Sequence, residues 1–447
     1  MNRSWIAVLV AMPGTAQCLD LTVEAGYGAS YTNNAQEAPD HGTGQWTQQP
    51  QLNLLADQRG TDTTFTADYN ATRNIYQRNI YGDETIVAGI STVTWDAIAN
   101  RLTLDASNTR TQTTIDARGQ NVPTNQQVID TTSAGGTLTM NAFSDHRLNV
   151  GYHYSFDNAD TTNTDSRRQT GNFAYVIPFD PRTQIQFNAT IGKVDYDSST
   201  ATNYTSREGD FQYVRRGDRV DFDASLGYTV FDQEGHVDSV HGTTGYLDLG
   251  WHATPISTIT VSYSRALGDG ALDSTAGIPQ FGQTFTDNSG LTQPYTTQTA
   301  RLGLDTQLGH NMLTLTTYYS DQSYQDISGQ NEDTVGGTIR AVRRLWPTLS
   351  ATLFVDYSKT DFSGQSRTDH DTDTGLRLTW TRWRNLSFYA TTTYTRRNSD
   401  DPTVEYTEWV GAFTLMYTLV GARSADIRGR PGGRGMGQGG MSGSYAR

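Results

Sequence analysis

Apolar and polar residues alternate one for one along most of this chain. Val220, Phe222, Ala224, Leu226, Tyr228 and Val230 are separated by Asp221, Asp223, Ser225, Gly227 and Thr229. Leu148, Val150, Tyr152, Tyr154 and Phe156 alternate with Asn149, Gly151, His153, Ser155 and Asp157. Leu349, Ala351, Leu353, Val355 and Tyr357 do the same with Ser350, Thr352 and Asp356. The pattern returns over 185–191, 259–263, 313–319, 386–394 and 409–419. A period of two places successive side chains on opposite faces of a strand, so each segment has one apolar and one polar face.

The connections carry a second signal. Short ones lie near Ala97–Asn100, Phe143–His146, Phe179–Arg182, Arg215–Asp218, Ala253–Ile256, Leu308–Asn311, Leu345–Pro347 and Thr381–Arg384. Long polar ones lie near 32–46, 74–84, 111–130, 157–168, 194–207, 231–243, 268–294, 320–333, 359–371 and 397–406. They alternate along the chain. Tight turns at one end and long loops at the other, with an even strand count, are the outer-membrane arrangement. Strand centres fall near 26, 52, 68, 90, 105, 136, 151, 173, 188, 212, 225, 247, 261, 301, 316, 339, 353, 376, 390 and 413. The expected fold is all-β: a transmembrane antiparallel up-and-down barrel of about twenty strands (roughly 16–20), with periplasmic turns and extracellular loops.

Aromatic residues mark both strand ends. Trp95, Trp251, Trp346, Trp380 and Trp383 sit beside the short turns. Tyr31, Phe156, Tyr196, Tyr228, Tyr263, Tyr319, Tyr357, Tyr394 and Tyr406 sit towards the long loops. Two belts suit two membrane–water interfaces, which favour amphipathic rings. A soluble β-protein with aromatics in its core predicts neither the belts nor the alternating loop lengths.

The ends of the chain differ from its middle. Arg3, the apolar run Trp5–Met12, the break at Pro13 and Gly14, and Ala16-Gln17-Cys18 read as a signal peptide over 1–18, cleaved after Cys18. The rival reading makes Cys18 a lipidated residue, but Gln17 stands where such signals need a small side chain. Residues 19–420 carry the barrel. Residues 421–447 are Gly- and Arg-rich, with Arg423, Arg428, Arg430, Arg434 and Arg447 against Asp426, and are expected to be a disordered periplasmic tail. No run of about 20 apolar residues is present, so no spanning helix is expected. The 24 Tyr, 15 Phe and 8 Trp argue against a disordered chain. A single Cys excludes a disulfide scaffold. A formal charge of −14 argues against nucleic acid as a partner.

Face parity then assigns side chains. The apolar set must face lipid, where a charge costs about 2–4 kcal/mol at the midplane. Candidate pore-lining residues are therefore Asp221, Asp223, Asp248, Arg301, Asp305, Arg340, Arg344, Asp356 and Arg377, with Asp68 and Asp105 on the same face. A basic strip from three nearby strands beside an acidic one would set up a field in the pore; plain solvation with local ion pairs is the alternative. Leu272, Ile278, Phe281 and Phe285 give the longest loop an apolar content that the other loops lack, making it a candidate constriction.

Catalytic signals are weak. His153 and Ser155 share a face but have no third partner, and the parity puts them in the lumen. His236 and His241 beside Asp232, Glu234 and Asp238 could hold a divalent cation, as could His370 among Asp369, Asp371 and Asp373; solvated acidic loops explain both groups. Asp269, Asp273 and Asp287 lack EF-hand spacing. No catalytic, cofactor or metal residue is assigned, and no cofactor is expected.

The Thr/Asp/Tyr-rich strands, as in TDTTFTADYNATRNIY (61–76) and NLSFYATTTYTRRNSD (385–400), resemble those of bacterial outer-membrane barrels. Within that class the chain looks most like barrels associated with exopolysaccharide and PEP-CTERM/exosortase gene clusters. The resemblance implies a non-enzymatic, porin-like conduit for exopolysaccharide export or hydrophilic solutes. Its partners would be outer-membrane lipid, the barrel assembly machinery and periplasmic polysaccharide-export components. A scaffold sheathing a periplasmic partner, and a surface receptor or adhesin, are the competing classes.

Overall fold

The computed structural model describes residues 19–420 except 40–41, 117, 144, 163, 199–200, 236–238, 269–293, 325–330 and 384. The signal segment, the Gly/Arg tail and the apolar positions Leu272, Ile278, Phe281 and Phe285 lie outside the described residues.

Twenty strands follow one another. The first five are β1 (Asp20–Thr32), β2 (Gln45–Arg59), β3 (Thr63–Tyr76), β4 (Glu84–Ile98) and β5 (Leu102–Thr114). A 3-10 turn, Pro123–Asn125, precedes β6 (Gln126–Asn141), β7 (Arg147–Ala159), β8 (Ser166–Asp180), β9 (Thr183–Tyr196) and β10 (Tyr204–Arg216). Then come β11 (Val220–Gln233), β12 (Val240–Thr254), β13 (Ser257–Gly268), β14 (Tyr295–Leu308) and β15 (Asn311–Tyr324). The last are β16 (Glu332–Trp346), β17 (Leu349–Phe362), β18 (Arg367–Trp383), β19 (Leu386–Ser399) and β20 (Tyr406–Val420). Every expected strand centre falls inside its strand.

Each strand pairs antiparallel with its sequence neighbours, and β20 pairs with β1 to close the sheet. Closure leaves no unpaired edge, which a sheet in lipid requires. The turns are tight where the sequence allows it: Gly309 takes φ +62° in the two-residue link between β14 and β15, and Asn100 takes φ +59° between β4 and β5. Among the described residues no helix is long and apolar enough to cross a membrane.

The outer face carries the expected apolar set, with Leu226 at 70% exposure and Leu353 and Tyr228 also exposed. Trp95, Trp251, Trp346 and Trp383 are exposed near the turns, and Tyr31, Phe156, Tyr228, Tyr263, Tyr319 and Tyr357 near the loops. Trp409 packs against Tyr394 in the loop-side belt, with ring centroids 4.7 Å apart and planes tilted by 47°.

Two expectations need correction. Tyr196 and Tyr406 do not join the outer belt: their registers place them on the inner face, and both are buried. The long connections are also shorter than expected, because the strands run on beyond the apolar band. The segment read as a loop over 359–371 is mostly strand, with only 363–366 between β17 and β18. Above the lipid both faces are polar, so the alternation loses its contrast although the backbone stays extended.

Candidate functional site: the lumen and its strapped mouth

The connection between β5 and β6 identifies the inner face. It leaves the wall, and its carbonyls meet side chains from β18 and β19. Arg367 Nη2 donates to the Arg118 carbonyl at 3.1 Å, and Arg397 Nη1 to the Gly119 carbonyl at 3.4 Å. On the shorter way round the wall, β4, β3, β2, β1, β20 and β19 lie between β5 and β18. Residues so far apart meet only across the interior, so Arg367 and Arg397 point inward.

Register carries that face around the wall. Arg377 lies opposite Thr352, and Asp356 opposite both Asp373 and Thr338. Arg340 faces Thr314, which faces Asp305, and Arg301 faces Tyr318. Ser262 links Arg301 to Asp248, which lies opposite Asp223. All nine candidate pore residues therefore stand on the inward face, as do Asp68 and Asp105.

The strap over 115–125 is held at several points. Gln120 donates to the Glu37 carbonyl at 3.0 Å, and the Asn121 amide donates to the Glu37 carboxylate at 2.7 Å. Tyr81, from the β3–β4 loop, donates to the Ala35 carbonyl at 2.9 Å, and burial pushes its phenol up to about 12. Arg118 stacks over Phe362 at 5.6 Å, beside Arg367 on the same ring at 4.8 Å. Three loops are thus tied together and docked on the far wall.

Its anchor is a buried ionic network. Arg367 pairs with Asp369, Arg397 Nε donates to Asp371 at 2.7 Å, and Ser399 donates to Asp369 at 2.6 Å. The side chains of Arg367, Asp369 and Arg397 are 8%, 1% and 2% exposed. Asp369 and Asp371 are therefore not the solvated loop acids expected. Arg367, Asp369, Asp371 and Asp373 recur every second residue, with both charge signs on one face. That spacing was the available signal for an inward-facing strand.

Burial grades along the lumen. Near the loops, inward Tyr76, Tyr196, Tyr204, Phe231, Tyr295, Tyr324, Phe362 and Tyr406 are buried, Phe231 completely. Val194, Tyr196, Tyr204, Phe231, Val240 and Leu267 form one apolar cluster. Near the turns, inward Arg340, Arg344 and Gln307 are exposed. The seam is an exception: Ser387, Met416 and Thr418 are buried there, and a Cβ on Gly26 would lie 2.0 Å from the Met416 sulfur. Elsewhere inward aromatics lie flat over cross-strand glycines. A Cβ on Gly375 would be 2.3 Å from Phe354, and one on Gly336 would be 2.6 Å from Tyr318. Phe354 interrupts the polar face of β17 and is buried in this way.

The remaining candidates separate. His153 is 3.1 Å from Asp105, and no hydrogen bond joins it to Ser155 among the described residues. Asp221 is 3.3 Å from His252, and Asp223 is held by Arg216, Gln212 and Tyr246. Asp305 accepts from Thr314 at 2.7 Å, and Asp356 from Thr338 at 2.5 Å. Asp232 pairs with Arg207 at 3.3 Å, while His241 lies beside Tyr228 on the outer face. His236 and Asp238 lie outside the described residues. Among the described residues no group of three potential ligands could hold a metal.

A family model described as "Putative beta-barrel porin 2" matches residues 304–417, about a quarter of the chain. No curated protein sequence matches it. Among solved structures, the FrpB iron transporter from Neisseria meningitidis (F5-1 variant) is similar, with 9% identity, coverage of 89% of this chain and 82% of that one, and a TM-score of 0.51. Its apoprotein form gives 9% identity, 89% and 81% coverage, and a TM-score of 0.52. These identities make it a likeness of fold. The fold is that of the bacterial outer-membrane barrels, and the chain is a β-barrel of the bacterial outer membrane.

Proposed function

We propose that this barrel is a porin-like conduit for hydrophilic solutes, with the 115–125 strap as the constriction at its extracellular mouth. The inner face carries the reading. Asp, Asn, Gln, Ser, Thr and Arg recur on it from the turns to the strap, for example Asp57, Asn53, Gln51, Gln49 and Thr47 on β2. A barrel of this size has room for water unless loops or partners fill it. The finer reading, which follows the resemblance, is export of an exopolysaccharide. Periplasmic polysaccharide-export components would deliver it at the turn end, and the barrel assembly machinery would insert the chain. No residue is given a catalytic role.

Planar-bilayer conductance of the purified full chain tests this. Replacing residues 116–125 by a short Gly/Ser linker should raise single-channel conductance several-fold. Deleting 272–290 in a separate variant reports on the longest loop. A correctly folded barrel that conducts neither with nor without the strap would overturn the reading. That result would favour a scaffold around a periplasmic partner, a reading supported by the packed inward side chains at the mouth.

A further inference from the structure

We propose that the inner wall of β14–β18 is a binding track for carboxylate-bearing hydrophilic chains, entered from the periplasmic end. It rests on the conduit reading and names the chemistry of what that conduit takes.

Four arginines define the track. Arg344 stands at the turn end of β16, and Arg340 is four residues further up the same inward face, about 13 Å along an extended strand. Arg377 lies between them in height, because Thr352 faces both Arg377 and Val342. Arg301 is higher still, in one row with Tyr318 and Gly336. The series climbs from the rim towards mid-lumen.

Among the described residues Arg301, Arg340 and Arg344 make no ion pair, whereas inward Arg216, Arg367 and Arg397 each hold a carboxylate. Of the acids on this wall, Asp369 and Asp371 belong to the network at the mouth, and Asp356 and Asp373 lie opposite each other without an ion pair to Arg301, Arg340 or Arg344 among the described residues. Asp305 takes the Thr314 hydroxyl and Asp356 that of Thr338. Arg340 and Arg344 are exposed, in the part of the lumen that the strap does not cover. Guanidinium forks on a fixed wall bind carboxylates in bidentate geometry, and their repeat along the wall suits a chain better than a single ion. Beyond β13, Asp221, Asp223 and Asp248 repel the same groups, which confines them to the arginine wall.

Isothermal titration of the detergent-solubilised full chain provides the test. The probes are sodium tetragalacturonate, neutral maltotetraose and sodium acetate. Tetragalacturonate should bind, with affinity falling at least tenfold in the R340Q/R344Q variant and on raising salt. Maltotetraose should not bind. Acetate binding with the same dependence on arginine would identify small carboxylates as the source of the chemistry; tetragalacturonate binding without it identifies the polymer. Equal binding of the neutral and acidic oligosaccharides, or unchanged affinity in a variant that keeps heat-modifiable migration, overturns the proposal. A barrel that binds tetragalacturonate but does not conduct would keep the track and lose the conduit.

Discussion

Arg397 binds two distant parts of the chain at once: it donates to Asp371 in the adjacent strand at 2.7 Å and to the Gly119 carbonyl across the lumen at 3.4 Å. The first bond belongs to the wall and the second to the strap. Because the side chain is only 2% exposed, the two are made without competition from water.

Removing this arginine should loosen the strap and take from Asp371 its buried guanidinium, while Asp369 keeps Arg367 and Ser399. Breaking a buried pair from one side costs about 3–5 kcal/mol, so Arg397→Ala should lower barrel stability by that order. Urea unfolding in detergent measures it. Proteases added to whole cells should then cut within 115–125. A variant as stable and as protected as the parent would show that the network does not hold the strap.

Cysteine labelling should separate the two faces and the two ends of the lumen. Leu226→Cys and Leu353→Cys should stay unmodified by aqueous thiol reagents in detergent-free membranes, because both point into lipid. Thr352→Cys and Thr316→Cys should react. Thr229→Cys, inward but buried near the mouth, should react slowly. Fast modification of the lipid set would invert the face assignment, since a one-residue slip exchanges the faces.

Gly375 should resist even alanine. Its missing Cβ is where the Phe354 ring lies, at 2.3 Å from the position a methyl would take. Overpacking of this kind costs about 1–3 kcal/mol, read as a lower unfolding midpoint for Gly375→Ala. Combining it with Phe354→Leu should recover part of the loss, a coupling that additive effects would not give.

Truncation after Val420 should leave a heat-modifiable barrel. β20 closes on β1 through 410–420, with Val23 opposite Val420 and Thr32 opposite Val410. Failure of the truncated chain to assemble in the membrane would assign the tail a folding role.

The sequence alone determined the wall. Period-two patterning depends only on which residues tolerate lipid, and loop lengths depend only on which end of a strand a connection joins. Hence all twenty strand centres and the inward parity of Asp221, Arg301, Arg340 and Arg377 could be read directly. The mouth was decided by tertiary structure. Nothing local tells Arg118 and Gly119 that their carbonyls will meet Arg367 and Arg397, whose encounter needs the closed cylinder. The same closure turns Tyr196 and Tyr406 inward. Above the lipid an inner aromatic can bury itself under loops, so polarity no longer reports which face a side chain takes.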